Sequence, residues 1–350
     1  MTVTIERNLP AGYTKWLAGF KARLTRSDLK PSELGAAPYA VEVRVLQNIC
    51  NLKCFSCIGQ NEGGERIIAD PNMVRSFITE AGFSGVSQID FTSPNSEPSL
   101  HPEFESFIET TADSGMMLAV FTNATALSFP TISLMAKYAN YVLVNLGAPN
   151  SRIYREMYGK NTFNRALANL QKLVDESKKY PGKAESHVAV NYTLNYYNSS
   201  EETIIKMIRL FSSIGVNSLR IVWTFPLLFG APAPERLRKF QPQLEQAEIE
   251  NIIRNARGKG IDLFFTGPTE PKMGKPDSYC WAQFQRLVLD TSGHLLACRS
   301  TYGFNGLTIG SYHPGNFGSL LVEPARDTKV TCAKCQPSDQ YFNEQVEMIL

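Results

Sequence analysis

The stretch YAVEVRVLQNICNLKCFSC, residues 39–57, runs from a strand pattern straight into a loop holding three cysteines. In its first half Val41, Val43 and Val45 alternate with Glu42 and Arg44, the period of two that marks a strand with one apolar and one polar face. In its second half Cys50, Cys54 and Cys57 are spaced C-x3-C-x2-C, which fits no common zinc ribbon. Strand ends that carry reactive side chains are typical of parallel α/β sheets.

The chain beyond this stretch keeps alternating. Helical patterns near 72–82, 102–114, 128–138, 162–179 and 200–214 separate strand patterns at 86–91, 117–122, 141–147, 187–195 and 218–225. With residues 39–47 this makes six strand–helix units, short of the eight that close a full barrel. The expectation is an α/β fold: a partial (β/α)6 TIM-type barrel. Parallel strands buried on both faces are almost wholly apolar. Here Glu42/Arg44, Gln88/Asp90, Asn191/Thr193/Asn195 and Arg220/Thr224 keep one polar face on each of four strands. A strand end reaching solvent explains any one of them. Four together favour a wide polar lumen for a hydrophilic ligand.

The flanks differ. Residues 1–38 hold one helical pattern, YTKWLAGFKARLTR, and a Pro/Gly-containing connector. After the Pro-rich stretch 227–243 come a helix near 244–258 and a strand at 261–265. Residues 267–350 change to short strands and turns, with FQRLVLDTSGHLLACRS reading as a hairpin around Ser292-Gly293. This gives three expected regions: an N-terminal extension (1–38), the barrel (39–266) and a small α+β tail (267–350). All four remaining cysteines, Cys280, Cys298, Cys332 and Cys335, lie in the tail.

Composition bounds the function. The 350 residues are 43% hydrophobic and 19% charged, enough to bury a large core. A net charge of +2 argues for neither nucleic acid nor anionic membrane as the main partner. The N-terminus shows no secretory pattern, and no run of 18 apolar residues occurs. The expected compartment is the cytoplasm, where seven cysteines act as thiols, ligands or catalysts rather than disulfides.

CNLKCFSC at the end of the first strand resembles the signature of the radical S-adenosylmethionine (SAM) superfamily. The resemblance implies that Cys50, Cys54 and Cys57 bind a [4Fe–4S] cluster whose fourth iron chelates SAM. Further segments fit in order. NSEP (95–98) resembles the GGEP segment and makes Glu97 the acid near the SAM amino group. TNA (122–124) resembles TNG and adds Asn123, while Asn145 closes the fourth strand where Ser or Asn approaches SAM. Phe55, one place from the usual aromatic before the third cysteine, is the adenine-side candidate.

The spacing C-x17-C-x33-C-x2-C of the tail resembles a twitch domain, the shorter relative of SPASM, in which four cysteines hold one auxiliary [4Fe–4S] cluster. Radical SAM dehydrogenases of aminocyclitols, as in butirosin biosynthesis, share this arrangement. Structural zinc is the bland reading of the same four thiols. A full SPASM domain needs more cysteines, and an epimerase of the cysteine-donor type needs a spare one; none is left over.

The resemblance implies two [4Fe–4S] clusters, SAM and a flavodoxin- or ferredoxin-type electron donor. With the polar lumen it implies a small polar substrate: a sugar, aminocyclitol or nucleoside oxidised from alcohol to ketone in natural-product biosynthesis. Radical decarboxylation of a sugar acid, and carbon–carbon bond formation or rearrangement on a nucleoside, start from the same hydrogen abstraction. An iron–sulfur electron carrier is the non-enzyme alternative, and it leaves NSEP unexplained. No catalytic residue is assigned. Of the four histidines, His101 reads as structural and His187 as a strand residue able to face the lumen.

Overall fold

The computed structural model describes residues 11–24, 29–57, 64–93, 95–180, 187–223, 239–258, 260–267, 279–298 and 308–327. Its strands are β1 (Ala40–Val43), β2 (Leu46–Gln47), β3 (Ile67–Ile68), β4 (Gln88–Phe91), β5 (Met117–Thr122), β6 (Tyr141–Asn145), β7 (His187–Leu194), β8 (Ser218–Trp223), β9 (Asp262–Thr266), β10 (Arg286–Leu289), β11 (His294–Leu296) and β12 (Thr308–Ser311). Ten of them form one sheet in the order β12-β11-β10-β1-β4-β5-β6-β7-β8-β9. From β10 to β9 every neighbouring pair is parallel; β11 is antiparallel to β10, and β12 to β11. The chain is thus an α/β partial barrel. Among the described residues β9 and β10 do not meet, so the barrel stays open.

Two edges depart from the sequence reading. The strand at residues 261–265 was set apart from the six units, yet β9 continues the sheet beside β8. The expected hairpin forms, with Val288 opposite Leu296, but its first strand β10 pairs in parallel with β1. The boundary expected between residues 266 and 267 therefore falls between two strands of one sheet. The strand expected over 39–47 is also split. After Val43 the chain peels off the main sheet, and Leu46–Gln47 pairs instead with Ile67–Ile68. Asn48 then turns sharply at φ 57°.

The alternation read in the sequence divides the two faces. Val41, Val43, Ile89, Phe91, Leu118, Val120, Val142, Val144, Val188 and Val190 all point into the main apolar core, under the helices. Phe77, Ile78, Phe107 and Ile108 on the covering helices α3 (Pro71–Phe83) and α4 (Phe104–Asp113) are fully buried there. Each such side chain contributes about 1.5–3 kcal/mol by leaving water. Caps fix where the helices begin. Asp70 accepts from the Asn72 N–H, and Ser128 does the same for Thr131 at the start of α5 (Phe129–Tyr138).

The opposite, concave face carries the polar residues expected of four strands, while β5 and β6 add Ala119, Phe121, Tyr141 and Leu143 to it. Glu42 and Arg44 pair at 2.8 Å while buried, and Asp90, wholly buried, pairs with Arg286 at 2.8 Å. Asn191 and Thr193 are half-buried and Arg220 is exposed on this face; Thr224 lies outside the described residues. A helix that the sequence reading passed over, α6 (Ser151–Tyr158), sits between β6 and α7 (Phe163–Ser177). Asn150 caps it and Gly159 ends it in the left-handed conformation. No helix of the described residues is long and apolar enough to cross a membrane.

Candidate functional site

The three-cysteine loop hangs over the C-terminal ends of the parallel strands, held from three sides. From the α6 side, the Lys53 N–H donates to the Tyr158 carbonyl at 2.9 Å, and the Phe55 N–H donates to the Met157 carbonyl at 3.0 Å. Gly159 lets this happen: at φ +68°, a Cβ there would lie 2.7 Å from the Lys53 oxygen. From β4, the NSEP segment bonds residues 48–49. The Glu97 N–H donates to the Ile49 carbonyl at 3.0 Å, and the Ile49 N–H donates to Ser96 Oγ at 3.2 Å. From β5, Asn123 Nδ2 donates to Asn51 Oδ1 at 3.0 Å and lies 3.8 Å from Cys50 Sγ. Asn51 in turn donates to Thr125 Oγ1 at 2.7 Å, and Thr125 donates to Asn123 Oδ1.

Glu97 is the keystone of this arrangement. It is buried, and both carboxylate oxygens accept bonds from the chain: Thr122 Oγ1 at 2.6 Å and Ser99 Oγ at 2.7 Å on one, the Asn123 N–H at 2.7 Å on the other. Burial pushes its pKa up, against the pull of the Ser99, Thr122 and Asn123 donors. The carboxylate therefore ties NSEP to TNA, fixing the two strand ends beside the loop. Ser99, Asn51 and Thr125 carried no signal of their own in the sequence. TNA and NSEP marked the neighbourhood, but hydrogen bonds across 26 and 72 residues have no local signal.

The remaining candidates spread around this centre. Asn145, at the end of β6, accepts from Asn191 Nδ2 at 3.0 Å on the concave face. Phe55 packs against Tyr197 and Phe240, with ring centroids 5.8 and 5.3 Å away, as an apolar wall beside the loop. His187 faces the same concavity: its Nε2 lies 2.6 Å from Ser218 Oγ, and its ring stacks on Tyr141 at an interplanar 15°. His101 is buried, its Nδ1 accepting from the Glu103 N–H and its Nε2 lying 3.1 Å from the Ala69 carbonyl. Burial lowers its pKa, so it acts as a neutral strut.

The donor set fits an iron–sulfur cluster. Cys50 is exposed and Cys54 and Cys57 are half-buried, all from one eight-residue loop. Burial pushes the Cys54 thiol up, with the Cys50 and Cys57 charges adding to the shift. Among the described residues no three His, Cys, Asp or Glu side chains converge on one ion position. A cluster takes one thiolate per iron, so spaced thiols suit it.

In the tail, Cys280 and Cys298 are half-buried at the open end of the β10–β11 hairpin. Continuing the Val288–Leu296 register sets Cys298 opposite Arg286, just after the short helix Ala282–Gln285 that follows Cys280. Gln283 Nε2 donates to the carbonyls of Cys280 at 2.8 Å and Arg326 at 3.0 Å, and Arg326 Nε donates back to Gln283 Oε1. Cys332 and Cys335 lie outside the described residues. The hairpin's open end is at the N-terminal ends of β1 and β10. Cys280 and Cys298 therefore lie at the opposite end of the sheet from Cys50, Cys54 and Cys57.

Comparison with known proteins points one way. Residues 45–211 match the family model of the Radical SAM superfamily. A protein of Saccharolobus islandicus (strain M.14.25 / Kamchatka #1) named Probable GTP 3′,8-cyclase is 22% identical over 213 residues, 60% of this chain and 66% of its own length. The match thus spans just under two thirds of that relative. Two solved structures share the fold. Streptococcus suis SuiB, bound to its precursor peptide SuiA, aligns over 87% of this chain and 69% of its own, with TM-score 0.61 and 15% identity. The anSMEcpe structure with bound AdoMet aligns over 87% of this chain and 88% of its own, with TM-score 0.56 and 14% identity. The matched segment contains Cys50, Cys54, Cys57, Glu97, Asn123 and Asn145. Residues 45–211, just under half of the chain, resemble a radical SAM superfamily domain and carry the three-cysteine loop and strands β4 to β7 of the open sheet.

Proposed function

We propose that the chain is a radical SAM enzyme with two [4Fe–4S] clusters that oxidises an alcohol carbon of a small polar molecule to a ketone. The observation that carries this reading is the cysteine loop lying at the strand ends above a concave face of amides and hydroxyls. Cys50, Cys54 and Cys57 would hold the first cluster; Cys280, Cys298, Cys332 and Cys335 would hold the second in a twitch-type tail. When bound, the first cluster supplies the electron that splits SAM into methionine and a 5′-deoxyadenosyl radical.

The rest is positioning by the chain. Glu97 holds the ends of β4 and β5 in register, so that Asn123 and the loop keep one geometry. Asn145 would approach SAM, and beside it Asn191 and Thr193 offer an amide and a hydroxyl to substrate hydroxyls. The bound cofactor would supply the acceptor for a hydrogen atom from the alcohol carbon held by these groups. Loss of the hydroxyl proton to water and of one further electron completes the carbonyl. The tail cysteines are the candidate holders of the group that takes this electron.

A second reading has its own support. The curated relatives are named for a GTP cyclase, and Arg220, exposed on the concave face in register with Asn191, offers a cation to a phosphate. On that reading the substrate is a nucleotide and the product a new ring of unchanged oxidation state. A peptide substrate, as in the SuiB complex, is the third case.

The test is anaerobic turnover with glycosides, nucleotides and peptides, reading 5′-deoxyadenosine and product mass. A product two mass units lighter, formed with one 5′-deoxyadenosine, supports the oxidation. An unchanged mass from a nucleotide replaces it with the cyclase reading, and loss of carbon dioxide replaces it with decarboxylation. Cytoplasmic location and a role in natural-product biosynthesis belong to the same proposal.

A further inference from the structure

We propose that Lys53, Arg152, Arg155 and Lys160 form a cationic strip on which a small acidic one-electron carrier protein docks to reduce the cluster loop. The inference rests on the radical SAM reading above and adds the surface and the charge of the donor.

The strip is continuous with the loop. Lys53 lies between Cys50 and Cys54, and its backbone is bonded to the C-terminus of α6. A Cβ on Gly159 would lie 2.8 Å from the Lys53 Cβ, so Lys53 and Lys160 flank the same glycine. The Gly159 N–H donates to the Arg155 carbonyl at 2.9 Å, which puts Arg155 one turn back. Arg152 stands three residues before it, on the same face of the helix. All four are exposed, and among the described residues none is in an ion pair. Glu156 is the one acid in residues 151–160.

This concentration is local. The whole chain has 35 Lys and Arg against 33 Asp and Glu, close to balance. A solvated helix face ordinarily mixes signs, and the exposed residues of α7 and α8 (Glu201–Ile214) do so, with Lys172 near Asp175 and Lys206 near Glu202. The position gives the cations a use. The concave side below the loop is the side for SAM and substrate, so reductant must approach from outside. Electron transfer weakens steeply with distance, and the α6 side is where the loop backbone is joined to an exposed element. A positive patch attracts an acidic partner and speeds its encounter by 10- to 1,000-fold at low salt. One electron leaves the reduced carrier and enters the cluster held by Cys50, Cys54 and Cys57; no atom is transferred.

The test uses the reconstituted full-length protein and an oxidised FMN-containing flavodoxin, with binding read by calorimetry at low and high salt. The variant Arg152→Glu/Arg155→Glu/Lys160→Glu leaves the loop residues in place. It should weaken flavodoxin binding by about tenfold or more and flatten the salt dependence. Its SAM cleavage driven by dithionite, which needs no docking, should stay within about twofold of the parent. The charge-matched control Lys172→Glu/Lys206→Glu/Arg209→Glu, on α7 and α8, should bind flavodoxin like the parent. Absence of flavodoxin binding to the parent overturns the proposal. So does equal weakening in the control, or single-stranded DNA binding to the same residues as tightly as flavodoxin. Failure of dithionite to drive SAM cleavage in the parent counts against the radical SAM reading instead, and the binding comparison still decides the docking surface.

Discussion

The two cysteine-bearing ends of the sheet are built by different means. At the C-terminal strand ends, Cys50, Cys54 and Cys57 ride on a short loop fixed by hydrogen bonds from Glu97, Asn123 and the end of α6. At the opposite end, the Cys280 carbonyl is anchored through the Arg326–Gln283 pair. Arg326 is 1% exposed, lies over the Phe284 ring at 4.3 Å, and also donates to the carbonyls of Ala36 and Leu321. The first end is a network of neutral and carboxylate bonds that leaves Cys50 open. The second is a buried guanidinium that bolts residues 317–327 to α2 (Pro31–Leu34) and the hairpin. An open site needs one face kept free for a ligand, whereas a closed site needs only rigidity. The proposed function asks for that difference: an open three-thiol site for SAM at one end and a closed site at the other.

The sharpest way to break the contrast is to delete each end. Cys50→Ala/Cys54→Ala/Cys57→Ala should abolish SAM cleavage, measured as 5′-deoxyadenosine. Cys280→Ala/Cys298→Ala should retain SAM cleavage and lose product. If both variants lose cleavage equally, the two ends are not functionally distinct.

Arg326→Met comes next. It leaves the Gln283 oxygen and the carbonyls of Ala36 and Leu321 without their donor, at roughly 1–3 kcal/mol each before relaxation. The expected outcome is a loss of about 3 kcal/mol in denaturant unfolding and a looser tail, with SAM binding retained. Unchanged stability would show that the guanidinium is not the bolt.

Glu97→Gln should act on the other end. An amide NH2 replaces one acceptor facing Thr122 or Asn123, at a cost of about 1.5–3 kcal/mol for a charge-assisted bond. SAM affinity should fall by roughly one to two orders of magnitude while the cluster absorbance persists. Normal SAM affinity with lost turnover would move Glu97 into the chemistry.

The smallest effect sharpens the role of one glycine. Gly159→Ala must hold φ +68° and push against the Lys53 carbonyl, a strain of about 1–3 kcal/mol. Gly85, at φ +91° with open space around it, is the control. Gly159→Ala should lower iron retention at the first site, and Gly85→Ala should leave it unchanged. Equal iron in both would mean that the α6 contact does not hold the loop.

Much of this was legible in the sequence because it is local or periodic. The alternation of Val41, Val43, Ile89 and Phe91 with Glu42 and Asp90 divided core from lumen, and the strands fell where that period ran. CNLKCFSC, NSEP and TNA marked strand ends. What stayed hidden was set at long range. That β10 pairs with β1 follows from sheet assembly, since the hairpin pattern alone says nothing about its neighbour. The split of residues 39–47 was missed because Val45 continues the alternation, while Asn48 and the β3 partner turn the chain away. The hold of Tyr158-Gly159 on Lys53 appears only in three dimensions. Arg326 carried no motif, and its partners are 5, 43 and 290 residues away.

The central claim, two clusters at opposite ends of one sheet, is tested most directly by iron and acid-labile sulfide per chain after anaerobic reconstitution. The parent should hold about eight irons, and each of the two cysteine variants above about four. Cluster spectra should show that the survivor differs between them. Four irons in the parent, or a triple Cys50/Cys54/Cys57 variant that keeps all of its iron, would contradict the account.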